Sequence, residues 1–458
     1  MPRLASCVLL GLSLMSATAH ADPLVIAHDP PPPVASSGSQ RPGNWYVARA
    51  WWTNELDTFA GIFQLGIVEN RADESYSLLN VAGGSQVDDE NYSLLSLAGG
   101  VTEVEDFRGG ALIAGGVAEA KDFSGLTLAS PFYASRASVF RGGLQYATIM
   151  NEADRWYGGV QWSLGYNGIG DSFYGLAQLG SYNLVAGDFG GVAQLGAVND
   201  TQSFTGPLVL GAYNRLGEGL ALAQVGAYNR VEEELDALVS VGVVQRTQRF
   251  RGGLDVGLIN ATSDFGGVAQ IGYANLGWRV LLDGRQHDFR GGLQASLGNI
   301  VDGDFAGGIQ AGMLNYVNED FQGGIQLGYL ASAVGDNFDG FMQAAAGFAY
   351  VDDDFHGALQ IGGIAAVALE EMHGVQIGGA FTGTREMRGL SIAGIGNIDQ
   401  DAKGVQIGGF NMADRRLSGL QIGVVNYTKR LKGMQLGLIN ISKKHGAPVM
   451  PIANFGAP

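Results

Sequence analysis

The sequence predicts an all-β protein built from one repeated unit, with a parallel β-solenoid as the leading architecture. Three observations carry that expectation. Glycine supplies 73 of 458 residues, more than twice the usual share of about 7%. With only 12 prolines and no three-residue glycine period, collagen is excluded. From about Phe59 onward one pattern recurs: an aromatic or large apolar residue, x-Gly, an apolar run around Gln, then Gly and often Asn. Within a unit such as Gly419-Leu420-Gln421-Ile422-Gly423-Val424, apolar residues alternate with Gln or Gly, and period two means strand.

The elements follow in chain order. Residues 1–21 have the layout of a secretory signal peptide: basic Arg3, an apolar run from Val8 to Met15, and Ala19-His20-Ala21 before the expected cleavage at Asp22. The apolar run is far short of the ~20 residues that span a bilayer. The single cysteine, Cys7, falls inside this leader, so thiol and disulfide chemistry are not expected of the mature chain. Residues 22–43, with Pro30-Pro31-Pro32-Pro33 and a following Ser-rich run, read as an extended linker. Residues 44–442 are the repeat domain. Residues 443–458 read as a C-terminal cap or tail.

Following the Gln position from Gln64 to Gln435 gives 24 units, with steps of 14 to 18 residues and one of 24. Near the N-terminus Asn80, Ser96, Leu112 and Thr127 stand in for Gln. Phe140, Trp156, Phe173, Phe189, Phe250, Phe305 and Phe321 open their units, and Met372, Met387, Leu417 and Leu431 replace the aromatic late in the chain. Polar stretches such as Val301-Asp302-Gly303-Asp304 read as turns. A repeat this persistent decides the fold class.

Two architectures fit it. In a solenoid each unit is one coil, stacked at ~4.8 Å. In a large antiparallel outer-membrane barrel each unit is one strand and its turn, with Ile309, Ala311 and Met313 toward lipid and Gln310 and Gly312 toward a lumen. The steps show no hairpin alternation. The aromatic also lies five residues before Gln310 but Leu431 only four before Gln435. In one continuous strand that difference reverses the face, whereas a glycine corner absorbs it. Both favour the solenoid. In it, the aromatics and the Leu, Ile and Val positions are expected to form the inner core, and the Gln and Asn positions to form amide ladders.

The late units, such as Gly404-Val405-Gln406-Ile407-Gly408-Gly409-Phe410-Asn411 and Gly433-Met434-Gln435-Leu436-Gly437-Leu438-Ile439-Asn440, resemble the bacterial surface-repeat proteins first noted in spirochaetes, built from G-[LV]-Q-[IL]-G-x-x-N. The likeness spans roughly residues 59–442 and weakens toward the N-terminus. It implies an exported envelope or surface protein and carries no catalytic residues with it.

Chemistry-bearing motifs are sparse. The sequence has no His-Glu-x-x-His, no phosphate-binding Gly-rich loop ending in Lys-Ser/Thr, and no Gly-x-Ser-x-Gly elbow; no catalytic residue, cofactor or metal is expected. Asp352-Asp353-Asp354 and Glu232-Glu233-Glu234 read as a solvated acidic edge, with Ca²⁺ binding the sharper alternative. His356 and His373 hold the same position in adjacent units and are expected within ~5 Å of each other. The insertion from Leu276 to Asp288 offers Trp278, Arg279 and Arg285 as a binding loop, and equally reads as a loop tucked onto the stack. Charge is uneven. Without the leader the chain carries 26 basic and 44 acidic residues, a balance of −18. From Ala402 onward eight bases face one acid, so Arg415, Arg416, Lys429, Arg430, Lys432, Lys443 and Lys444 belong to an end of net +7 on a body of −25. Such an end suits an anionic partner such as outer-membrane lipid or lipopolysaccharide, and equally a cap against end-to-end stacking. Nucleic acid is not an expected partner of an exported acidic chain. The functional expectation is a non-catalytic, exported cell-envelope or surface protein acting as a scaffold or adhesion-type binding surface. The alternative is a membrane barrel, as a channel or part of an oligomeric assembly.

Overall fold

Each repeat unit forms one coil. The computed structural model describes residues 46–277, 288–445 and 447–456, all within the unit Trp45–Pro458. Equivalent residues of successive units lie side by side: Phe140 beside Trp156, Gln294 beside Gln310, Gln360 beside Gln376. The pairing is parallel, and the product is a parallel β-solenoid of about 20 turns, ~100 Å long at the strand spacing. Among the described residues there is no helix. The parallel register corrects the barrel alternative, in which consecutive units run in opposite directions. The expected leader over 1–21 and the expected linker over 22–43 lie outside the described residues.

One coil shows the cross-section. In β14 (Phe338–Ala345), Phe338, Gln343 and Ala345 are buried. A corner at Ala346 and Gly347 leads to β15 (Phe348–Val351), where Ala349 and Val351 are buried. A turn at Asp352 to Asp354 then leads to β16 (Phe355–Gly362), the next coil. Each coil thus has a first side opened by the aromatic, a second carrying Gln, and a third carrying Asn or its equivalent. Between the first two sides lies the glycine corner. In β17 (Ala365–Gly378), Met372 pairs Phe355 and Gln376 pairs Gln360, with one residue fewer between. Gly374 absorbs the loss at φ +119, and Gly389, Gly404, Gly419 and Gly433 repeat the solution at φ between +131 and +145. Only glycine adopts such values readily. Each also sits on the preceding glycine's backbone: a Cβ on Gly404 would lie 1.9 Å from the Gly389 carbonyl oxygen.

The aromatics form the expected core. Phe107, Phe123, Phe140, Trp156, Phe173, Phe189 and Phe204 stack with ring centroids 4.3–5.2 Å apart. Phe250 to Phe355 form a second run at 4.7–5.3 Å. Between the runs, Gly219 takes the aromatic's place, and the Leu216 and Leu235 side chains crowd the space beside it.

Two expectations need correction. Leu128, not Thr127, occupies the stacked position, since it pairs Leu112; with apolar Leu126 and Leu128 on either side of Thr127, the alternation in sequence does not fix the register. The Leu, Ile and Val residues beside Gln are not core. Gln310 is fully buried while its neighbour Ile309 is 39% exposed. Successive strand residues point to opposite faces, so an inward Gln row forces its flanking apolar rows outward. Inward valines do occur, on the third side, at Val301, Val317, Val334 and Val351.

The long step leaves the stack undisturbed. Phe265 pairs Phe289 and Asn275 pairs Asn299, so the insertion leaves and rejoins at the turn from the third side to the first. Its candidate residues Trp278, Arg279 and Arg285 lie outside the described residues. At the C-terminus β19 (Val449–Gly456) runs antiparallel against Gly433 to Ile441 of β18 (Phe381–Lys444). It covers the last coil's edge, and Pro451 within it lacks the N–H that a further strand would use.

Candidate functional surface

The polar interior is structural. Gln310 Nε2 donates to Gln294 Oε1 at 2.9 Å, Gln326 to Gln310 at 2.8 Å, and Gln343 to Gln326 at 2.9 Å. The Asn row runs the other way: Asn167 Nδ2 donates forward to Asn183 Oδ1 at 2.9 Å, and Asn183 to Asn199 at 2.9 Å. Each Asn also donates to a backbone carbonyl of the next coil, as Asn183 does to Leu195. These amides are buried and close on one another, which supports the ladders expected from sequence. The position two after Gln is always Gly, Ala or Ser, leaving room for the Asn row: at Gly312 a Cβ would meet Asn315 Oδ1 at 2.8 Å and Asn299 Nδ2 at 2.9 Å.

Much of the acidic charge is also committed to the fold. The residue before the aromatic accepts the backbone N–H of its equivalent one coil on: Asp304 N–H donates to Asp288, Asp320 N–H to Asp304, Asn337 N–H to Asp320, and Glu371 N–H to Asp354, at 2.9–3.2 Å. The recurrent Asp-Phe dipeptide is a turn-closing device that the sequence reading missed. Glu232 pairs with Arg215 and Arg230 at 3.1 Å, and Glu234 with Arg249 and Arg251 at 2.7 Å. Asp352 accepts the Tyr350 hydroxyl at 2.6 Å. Glu232, Glu234, Asp352 and Asp354 of the acidic runs are therefore partnered within the coil stack.

Three buried carboxylates stand apart. Asp255 occupies a Gln position and accepts from Gln270 and Thr262 at 3.4 Å. Asp399 accepts from Gln406 Nε2 at 2.5 Å and the Thr384 N–H at 3.0 Å. Burial pushes both carboxyls up to about 7. Burial likewise raises Asp88 to about 6, opposed by hydrogen bonds from Gln86 and Asn91.

The His pair meets as expected, ring centroids 4.9 Å apart. His373 Nε2 lies 3.1 Å from Glu371 and 3.3 Å from Arg388, and His356 Nδ1 lies 3.5 Å from Asp339. With the Arg388 ion pairs to Glu371 and Glu386, the arrangement reads as a row of surface polar contacts. No group of three or more metal-ligating side chains occurs among the described residues.

Three surfaces remain. Along the second side, no outward residue from the one before Gln to the one four after it is charged in any unit. The chain is 16% charged, so the absence along so many coils is a property of this side. Trp162, Leu164, Leu258, Tyr273, Tyr329, Val424 and Leu438 are 45–69% exposed there. At the corner Ile364 and Ile395 are 49% and 57% exposed, and Phe348, which begins the third side, is 52% exposed. Monomeric proteins rarely expose an apolar patch above a few hundred Å².

The second surface gathers most of the predicted basic residues. Arg415, Arg416, Lys429, Arg430, Lys443 and Lys444, with Asp401, line an open groove of about 350 Å³. Arg416 lies 3.6 Å from Asp401 and Lys429 3.0 Å from Asp414, while Lys443 reaches over the Tyr427 ring at 5.8 Å. Lys432 lies outside this groove, in the row just after the aromatic position, where Lys403 also stands. The third surface is a groove of about 630 Å³ near the N-terminal end, lined by Glu103, Glu105, Glu119, Glu152 and Asp154 with Lys121 and Arg136. It was not anticipated, because its carboxylates come from separate turns that only coil stacking brings together.

Comparison with protein-family models, with curated proteins and with solved structures finds no match.

Proposed function

We propose that this chain is a non-catalytic, exported cell-envelope protein whose solenoid acts as a scaffold and binding surface. The observation that carries the reading is the uncharged apolar second side, which runs with the repeat over its length and belongs to no single coil. A local catalytic centre needs a few residues that break the repeat; a surface of this kind uses every unit alike. The ladders, the turn-closing aspartates and the arginine–glutamate pairs account for most other conspicuous polar positions. The likeness of the late units to bacterial surface repeats and the layout of residues 1–21 support export to the envelope. The basic groove adds a place for an anionic partner.

The test is to express the full chain in a Gram-negative host, fractionate the cells and sequence the N-terminus. The reading expects the protein in the envelope fraction beginning at Asp22. Protein retained in the cytoplasm with Met1 in place overturns the export assignment, and turnover in a screen of acidic and neutral glycans overturns the non-catalytic one.

A further inference from the structure

We infer that the occupant of the apolar surface is a lipid bilayer, along which the solenoid lies with its second side and the adjoining corner dipped into the interface. This rests on the envelope reading above and names the partner of that surface.

The argument begins with shape. The exposed apolar residues do not stop at the edge of the flat second side. Leu164, Tyr273, Tyr329 and Leu438 stand at its corner, 62–69% exposed, with Ile364 and Ile395 beside them, and Phe348 and Phe381 continue onto the third side at 52% and 43%. A second solenoid packed sheet on sheet covers one side and leaves the other wet. A fluid apolar phase covers both sides of a corner at once.

Charge points the same way. The ionic side chains lie on the first side and its adjoining turn: Arg290 and Asp288, His356 and Asp339, Arg388 and Glu386. The third side carries charges over the N-terminal and middle coils, where Arg136 pairs Glu152 and Arg215 bridges Asp200 and Glu232, and is uncharged beside the second side's later coils. The coil is therefore amphipathic across its section, like an interfacial helix, with one charged edge and one apolar edge. Trp162, Tyr146, Tyr273 and Tyr329 interleave the aliphatic rows of the second side, and amphipathic aromatic rings favour the headgroup boundary. The basic groove of Arg415, Arg430 and Lys444 lies in the turn that leads to Leu417 and Leu431, on the ionic edge, so it faces water and apolar burial supplies the contact.

Flotation of the purified full-length protein with vesicles tests this. Vesicles of phosphatidylcholine alone probe the apolar contact, and vesicles of phosphatidylethanolamine with phosphatidylglycerol show whether negative charge adds to it. The protein is expected to float with both, no more tightly with the second. The variant L164E/Y329E/V424E is expected to lose at least about tenfold in affinity for both, and T205E/Q322E on the first side to match the parent. R430E/K444E, on the edge kept in water, is expected to float like the parent. All substituted side chains point outward, and an unchanged β-sheet circular dichroism spectrum certifies folding. No flotation by the parent overturns the inference. So does a dimer by light scattering that L164E/Y329E/V424E dissolves, which assigns the surface to a second copy. Either outcome alongside a mature envelope protein leaves the envelope reading standing.

Discussion

Gln310 donates its side-chain amide to Gln294 at 2.9 Å in a fully buried row, and Gln326 donates to Gln310 in turn. Each amide is both donor and acceptor, so removing one strands two neighbours. Gln224 is the contrast. Val209 and Ser240 hold the ladder positions on either side of it, and neither its Nε2 nor its Oε1 has a partner although both are buried.

Q310L is therefore expected to destabilise the protein by about 3 kcal/mol, since an unpaired buried polar group costs roughly 1–3 kcal/mol. Q224L removes an amide that already lacks partners and is expected to be neutral or stabilising by about 1 kcal/mol. Urea unfolding of the two variants checks this. Equal losses at both sites would contradict the ladder account.

The buried carboxylates give a pH dependence with a definite sign. Folding raises Asp255 and Asp399 to about 7 from an ordinary value of 3.8, so between those values the native state holds protons that the unfolded chain has released. Stability then falls as pH rises from about 4 to about 7, by up to ~1.4 kcal/mol per pH unit for each group. D399N is expected to unfold later than the parent at pH 8, to match it near pH 4, and to flatten the slope between. Parallel pH–stability curves for parent and variant would contradict the assignment.

The glycine corner predicts an asymmetric response to alanine. Gly404 has φ +143, and an added Cβ there meets the Gly389 carbonyl oxygen. Gly298 has no heavy atom within 4 Å of such a Cβ. G404A is expected to cost about 3 kcal/mol or more and G298A about 1 kcal/mol or less, read by thermal unfolding.

The fold was largely legible because its signals are periodic. The aromatic row, the Gln row and the 14-to-18-residue step are each visible in one dimension, and stacking turns them into columns. The adjacency of His356 and His373 followed from the same register, as did the gathering of Arg415, Lys429 and Lys443. What the alternation did not reveal was its sign. Period two separates Gln310 from Ile309 and Ala311 without saying which set faces in, and hydrophobicity alone suggested the wrong one. A signal was present: the residue two after Gln is Gly, Ala or Ser throughout, as a cramped interior demands. The acidic groove from Glu103 to Asp154 and the turn-closing role of Asp304 and Asp320 arise between coils, where no local pattern reports them.

The central claim is that the uncharged side meets lipid while the ionic side stays in water. It is tested most directly by nitroxide labels at Y329C and Q322C, each in a chain with Cys7 replaced, on phosphatidylethanolamine–phosphatidylglycerol vesicles. The label at position 329 is expected to relax through lipid-soluble oxygen and to be shielded from an aqueous nickel complex, and the label at 322 to show the reverse. Equal exposure of both labels to the aqueous reagent would contradict it.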